Sequence, residues 1–149
     1  DVDRAFFEAV AFAKRLLQRV VRQYGEYYDN LRYMKEALNS QDVKNTHILI
    51  LEGAVKWKDI LLELDKEEDV LFVVFEDLTG SWRVQTVPKE ENSFDARKDL
   101  PKPWASLRSE ELSALTGVEG CIFCHPNLFI AGNETKEGAL AMAHLAVQA

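Results

Sequence analysis

Cysteine is scarce in this chain: there are two thiols, Cys121 and Cys124, in 149 residues. Two are too few for a disulfide scaffold and fit a reducing compartment. Long hydrophobic runs are also missing, since none approaches the ~20 residues that span a bilayer. The opening Asp1-Val2-Asp3-Arg4 is not a basic stretch leading into an apolar one, so no secretory signal is read there. It carries no initiator methionine and runs straight into a helical pattern, so the chain is expected to be a part of a longer protein. A basic surplus is absent too, the net charge being −7. Free-standing nucleic-acid binders draw much of their affinity from phosphate contacts. Any contact with nucleic acid is therefore expected through a local pocket, or with help from another part of the protein. No internal repeat and no low-complexity segment is visible. What remains, 47% hydrophobic and 29% charged residues, is the balance of an ordinary globular chain long enough for one domain and one sizeable core.

Residues from about Asp3 to Leu38 read as one long amphipathic helix, with Gly25 as the place where it would break. Phe6, Ala9, Val10, Ala13, Leu16, Leu17, Val20, Val21 and Tyr24 recur at helical spacing, and Tyr27, Tyr28, Leu31 and Met34 continue the stripe. The helix is either a packing helix or a connector from another domain. Thr46–Leu51 reads as a buried strand and Val55–Leu64 as a short helix. Val70–Phe75 and Trp82–Val87 read as a hairpin around Asp77–Gly80. Pro88–Pro103 is a long polar loop, a kind that is often functional. Ser109 opens a short helix ending near Gly117. Cys121–His125 and Leu128–Ala131 read as strands around Pro126-Asn127, and a last helix starts near Thr135. The expected fold class is α+β: a mixed sheet of about five strands with flanking helices. The expected division is a connector or packing helix over residues 1–40 and an α+β lobe over 41–149.

Cys121-Ile122-Phe123-Cys124-His125 matches the C-x-x-C-H pattern of covalent haem attachment. In a strand, however, residues three apart point to opposite faces, so the two thiols could not clasp one haem or one zinc. His47 and His144 add no ligand-like spacing. Two small buried core thiols are expected instead.

Phe129-Ile130-Ala131-Gly132-Asn133-Glu134-Thr135-Lys136-Glu137-Gly138 reads as a strand, a tight turn and a helix start. Free N–H groups and the positive end of a helix dipole make such a junction suited to a phosphate. Gly132 and Gly138 would let a ligand approach the backbone. Asn133 or Thr135 could instead cap the helix.

Several blocks resemble one family in the same order. These are Trp82-Arg83-Val84-Gln85 with Val87-Pro88-Lys89, Ser93-Phe94 with Arg97, and Leu100-Pro101-Lys102-Pro103-Trp104. Next come Leu107-Arg108-Ser109-Glu110-Glu111-Leu112 and Gly117-Val118-Glu119-Gly120-Cys121-Ile122-Phe123 with His125. Last is Phe129-Ile130-Ala131-Gly132-Asn133 running into Glu137-Gly138-Ala139-Leu140-Ala141-Met142-Ala143. The sequence resembles the C-terminal half of the melanocyte-proliferating-gene nuclease family, which is itself similar to the DHH phosphoesterases. The likeness is dense from about Phe72 to Ala143 and looser upstream.

The resemblance implies a two-lobed 3′–5′ RNA exonuclease of mitochondrion and nucleus. Its N-terminal lobe would hold two Mn²⁺ or Mg²⁺ ions that activate water. Its C-terminal lobe would close over a single-stranded RNA or short oligonucleotide. This chain has no Asp-His-His triplet, so the metal-bearing lobe is expected to lie outside it, as its partner, and no catalytic or metal residue is assigned here. The resemblance places substrate binding on His125, Gly132, Asn133, Thr135, Lys136 and Gly138, with Arg83 and Arg97 as basic positions facing phosphate. The chain departs from the family at Leu128, Ala131 and Glu134. A second reading is a binding or protein-interaction module derived from that lobe. A third is a structural piece that forms a homodimer through its first helix.

Overall fold

The computed structural model describes all residues from 1 to 149. In chain order its elements are α1 (Val2–Ser40), α2 (Val43–Thr46), β1 (Ile48–Leu51), α3 (Lys58–Leu64), β2 (Phe72–Glu76) and β3 (Trp82–Thr86). A 3₁₀ turn at Lys102–Trp104, α4 (Ser109–Thr116), β4 (Cys121–Cys124), β5 (Ile130–Asn133) and α5 (Lys136–Gln148) complete it. The class is α+β, with one mixed open sheet of five strands in the order β1-β2-β3-β5-β4. Only the β1–β2 pair is parallel; β2–β3, β3–β5 and β5–β4 are antiparallel. No helix is long and apolar enough to cross a membrane.

Strand alternation sorts the core into two layers. Phe72, Val74, Trp82, Val84 and Ala131 point to one face, where they pack with Met142, Ala143 and Ala146 of α5 and Leu112 of α4. Leu49, Leu51 and Val73 point to the other, where they meet Met34 and Ala37 of α1 and Ile60 and Leu61 of α3.

Four details differ from the sequence reading. The first helix does not break at Gly25 but runs continuously for 39 residues, and a Cβ at that glycine would meet nothing within 4 Å. Gly25 costs an exposed helix about 1 kcal/mol relative to alanine, a penalty that a helix of 39 residues absorbs. Thr46-His47 does not begin β1: His47 takes a left-handed φ of 60° that closes the short α2. The two thiols do not point apart. The register of β4 against β5 shifts between Cys121 and Phe123, and this bulge returns both Cys121 and Cys124 to the same buried layer. A bulge adds one residue to the strand, so the strict alternation assumed from sequence fails across it. Both are free, buried thiols. The last strand is Ile130–Asn133, not Leu128–Ala131, so Gly132 and Asn133 belong to the strand and the bend falls at Glu134-Thr135.

Candidate functional site

α1 and α3 pack beneath β1 and β2. The β3, β5 and β4 half of the same face is left open, and Arg83, Phe123 and Ile130 are part-exposed there. Alternation along β3 places Arg83 and Gln85 on this side, and register sets Arg83 opposite Gly132 and Gln85 opposite Ile130. Gly132 is paired in turn with Phe123 on β4.

Gly132 is the centre of this patch. Its φ is ordinary, so its role is room rather than backbone freedom. A Cβ here would run into Nη1 of Arg83 and come within 2.9 Å of the Phe123 ring. The bare Cα leaves room for the Arg83 guanidinium, whose Cζ lies 5.1 Å from the Phe123 ring centroid in cation–π contact. Nη2 of Arg83 pairs with Asp77 at 2.6 Å, both side chains being 19% exposed. Asp77 also accepts from the hydroxyl of Thr79 at 2.7 Å and from the N–H groups of Thr79 and Ser81, which ties the hairpin turn together. These partners hold its carboxyl below the usual carboxylate range, the Thr79 hydroxyl contributing most. Nη1 of Arg83 is buried and meets no acceptor. A buried donor without a partner costs about 1–3 kcal/mol, which an acceptor supplied from outside the chain would relieve.

His125 follows β4. Its Nδ1 accepts from the N–H of Asn127 at 3.0 Å, and its ring lies 4.5 Å from that of Phe129. It lines a cleft of about 570 Å³ between α3, the Pro88–Ala96 loop and the Pro126-Asn127 turn. Gln85 reaches this cleft and joins it to the open half-face. Lys58 is its one cation, against Asp59, Glu91 and Asp95, while Phe94 and Phe129 offer aromatic surface.

The remaining expected residues lie elsewhere. Asn133 is completely buried. Its Nδ2 donates to the Glu119 carbonyl at 2.8 Å, and its Oδ1 accepts from the Thr135 N–H at 3.0 Å. Thr135 caps α5 by accepting from the Gly138 N–H at 3.0 Å. Any Cβ at Gly138 would collide with the Asn133 side chain. Asn133, Thr135 and Gly138 are thus brought together as a self-satisfied helix cap, and the N–H groups of Thr135 and Gly138 are already taken. Lys136 pairs with Glu52 at 2.6 Å and lies over Trp82, on the α5 side of the sheet. Arg97 is 3% exposed and bonded to Asp65 at 2.7 Å, a buried ion pair that does not face solvent. Ala131 points into the layer under α5, so its methyl group does not narrow the open face. Leu128 has a φ of 62°, a left-handed conformation that glycine adopts more readily than leucine.

Sequence reading did not single out Gln85, Phe123 or Asp77. The period-two pattern of Trp82–Thr86 could have put Gln85 beside Arg83. The pairings of Arg83 with Asp77 and with Phe123 depend on the tertiary fold. No group of three or more His, Cys, Asp or Glu side chains is placed to hold a metal ion.

No solved structure matches this chain. The profile of the family described as Uncharacterised protein family (UPF0160) matches residues 1–147. The MYG1 protein of Dictyostelium discoideum is 41% identical over 95% of this chain and 45% of its own length. The MYG1 exonuclease of Homo sapiens is 36% identical over 96% of this chain and 40% of its own length. A MYG1 protein of Saccharomyces cerevisiae is 38% identical over 97% and 45% respectively. The chain therefore belongs to the MYG1 exonuclease family, Uncharacterised protein family UPF0160, and spans less than half the length of these curated relatives.

Proposed function

We propose that this chain is the substrate-holding lobe of a metal-dependent 3′–5′ exonuclease acting on single-stranded RNA or a short oligonucleotide. It does not cleave by itself. The Mn²⁺ or Mg²⁺ ions that activate water belong to the part of the polypeptide outside this chain, and its own residues only bind and orient. The observation that carries this reading is the open half-face of β3, β5 and β4, where Arg83 has a donor without an acceptor beside the bare Cα of Gly132. Turning Nη1 outward would let a phosphate oxygen meet the guanidinium as a charge-assisted partner. The ring of Phe123 and the apolar side chain of Ile130 offer a sequence-tolerant surface for a base. The His125 cleft continues from Gln85. Its carboxylates make it unsuited to a phosphate, so it would take the neutral base or sugar end of the substrate.

The test is steady-state hydrolysis of a 3′-labelled single-stranded RNA by the full-length protein and its Arg83→Lys variant. Lysine keeps the charge and can still reach Asp77, but it lacks the planar fork that leaves Nη1 free. The expected result is a rise in KM of about tenfold, the scale of one lost charged hydrogen bond of ~1.5 kcal/mol, with kcat and the unfolding midpoint little changed. An unchanged KM in a folded variant would remove Arg83 from the site. The second reading, an interaction module without phosphate binding, is favoured by the closed cap of Asn133, Thr135 and Gly138, and it predicts that outcome.

A further inference from the structure

Every residue from 1 to 29 is exposed, and the hydroxyl of Tyr27 donates to Glu63 of α3 at 3.1 Å, so the roughly 25 residues of α1 before it project about 37 Å beyond the body. Their apolar side chains are not scattered. Phe6, Val10, Ala13, Leu17, Val20, Tyr24, Tyr27, Leu31, Met34 and Leu38 alternate in steps of four and three, an unbroken heptad seam. Its last part, Leu31, Met34 and Leu38, packs into the core beneath β1 and β2. The part before Tyr27 continues the same line with nothing on it. Phe6 is 61% exposed, Leu17 64% and Tyr24 63%. A run of this kind on a water-soluble surface marks an interface.

The flanks decide what covers it. A two-stranded coiled coil buries a narrow seam and keeps charged residues beside it. Here most flanking positions are apolar as well: Phe7, Val21 and Tyr28 on one side, interrupted by Lys14, and Ala9 and Leu16 on the other, ahead of Gln23. The covering surface must therefore wrap both sides of the helix, as a groove does. Lys14, Arg15, Arg19 and Arg22 lie in the middle of the projection, with no carboxylate between Glu8 and Glu26. Of these only Lys14 flanks the seam; the three arginines lie on the side away from it.

We infer that the projecting half of α1 lies in an apolar groove formed by the remainder of the full-length polypeptide. The chain spans only 40–45% of the length of relatives that match nearly all of it, so a large part of the same polypeptide is available to form that groove. The two ends of one continuous seam would then fasten two bodies: residues 27–38 hold the sheet and α3, and residues 6–24 hold the rest. This inference does not depend on what the protein hydrolyses.

The test uses the full-length protein with a single cysteine introduced as Leu17→Cys or Val10→Cys on the seam, or Gln18→Cys on the outer side. Maleimide labelling is followed peptide by peptide in the mass spectrometer, so native thiols do not interfere. The two seam positions should label about tenfold or more slowly than the outer one, whatever the protein concentration. Seam and outer positions labelling alike would overturn the inference. So would seam protection that fades on dilution, because the cover would then be a second copy. Two seam variants are used so that one failing to fold does not decide the matter.

Discussion

Arg97 shows how far a residue's type can mislead about its task. In the sequence it stands in a polar loop and resembles a phosphate-facing arginine. In the fold its Nη1 donates to Asp65 and to the Val70 carbonyl, while Asp65 also accepts from the N–H groups of Asp69 and Val70. This buried cluster anchors the loop after β3 to the end of α3. The partner lies 32 residues away, a pairing that no local pattern reveals. Arg97→Ala leaves the Asp65 carboxylate buried without its cation and should lower unfolding stability by about 3–5 kcal/mol, measured by urea denaturation. A loss under about 1 kcal/mol would mean the pair behaves as an exposed one. Gly138 was legible as a glycine of close approach, but what approaches it is Asn133 of the same chain and not a ligand.

Among the elements, those with strong periodicity were readable and those shaped by a register shift were not. α1, the β2–β3 hairpin, α4 and α5 lie close to their expected ranges because apolar spacing and turn residues mark them. β4 and β5 were placed in kind but not in detail. The bulge in β4 has no signature in Cys121-Ile122-Phe123-Cys124, and it alone decides that both thiols share one layer. Its chemical consequence can be measured. Burial pushes the Cys124 thiol up to about 11, so it stays protonated at pH 8 in the native state. Iodoacetamide should alkylate Cys124 far more slowly in the folded protein than in urea. Native labelling at the unfolded rate would place Cys124 at the surface. The sign of the pH effect follows. The folded state favours the neutral thiol, so its contribution to stability is complete below the ordinary thiol value of about 8.5. That contribution fades as pH rises toward 11, and the unfolding midpoint should fall over that range.

For the molecule as a whole, the strand order β1-β2-β3-β5-β4 does more than any motif to position the candidate site. α1 and α3 pack under β1 and β2, which leaves the β3, β5 and β4 half-face for something else. Arg83 and Gly132 were named from sequence, and the sheet brings them into contact across β3 and β5. His125 reaches the same region through Gln85, whereas Lys136, Arg97 and the Asn133 cap belong to other places. The half of the site that was legible came from residue types in a strand. The other half depended on which strands are neighbours, and a chain order of β3, β4, β5 does not disclose that β5 sits between the other two. The central claim is that substrate lies on that half-face. The most direct measurement is photo-crosslinking of a short 4-thiouridine RNA to the full-length protein, with the attached peptides mapped by mass spectrometry. Crosslinks are predicted on Phe123, on Ile130 and around Gln85, and should be lost in competition with unmodified RNA. Bound RNA that crosslinks only outside this half-face, or only to the α5 side of the sheet, would contradict it.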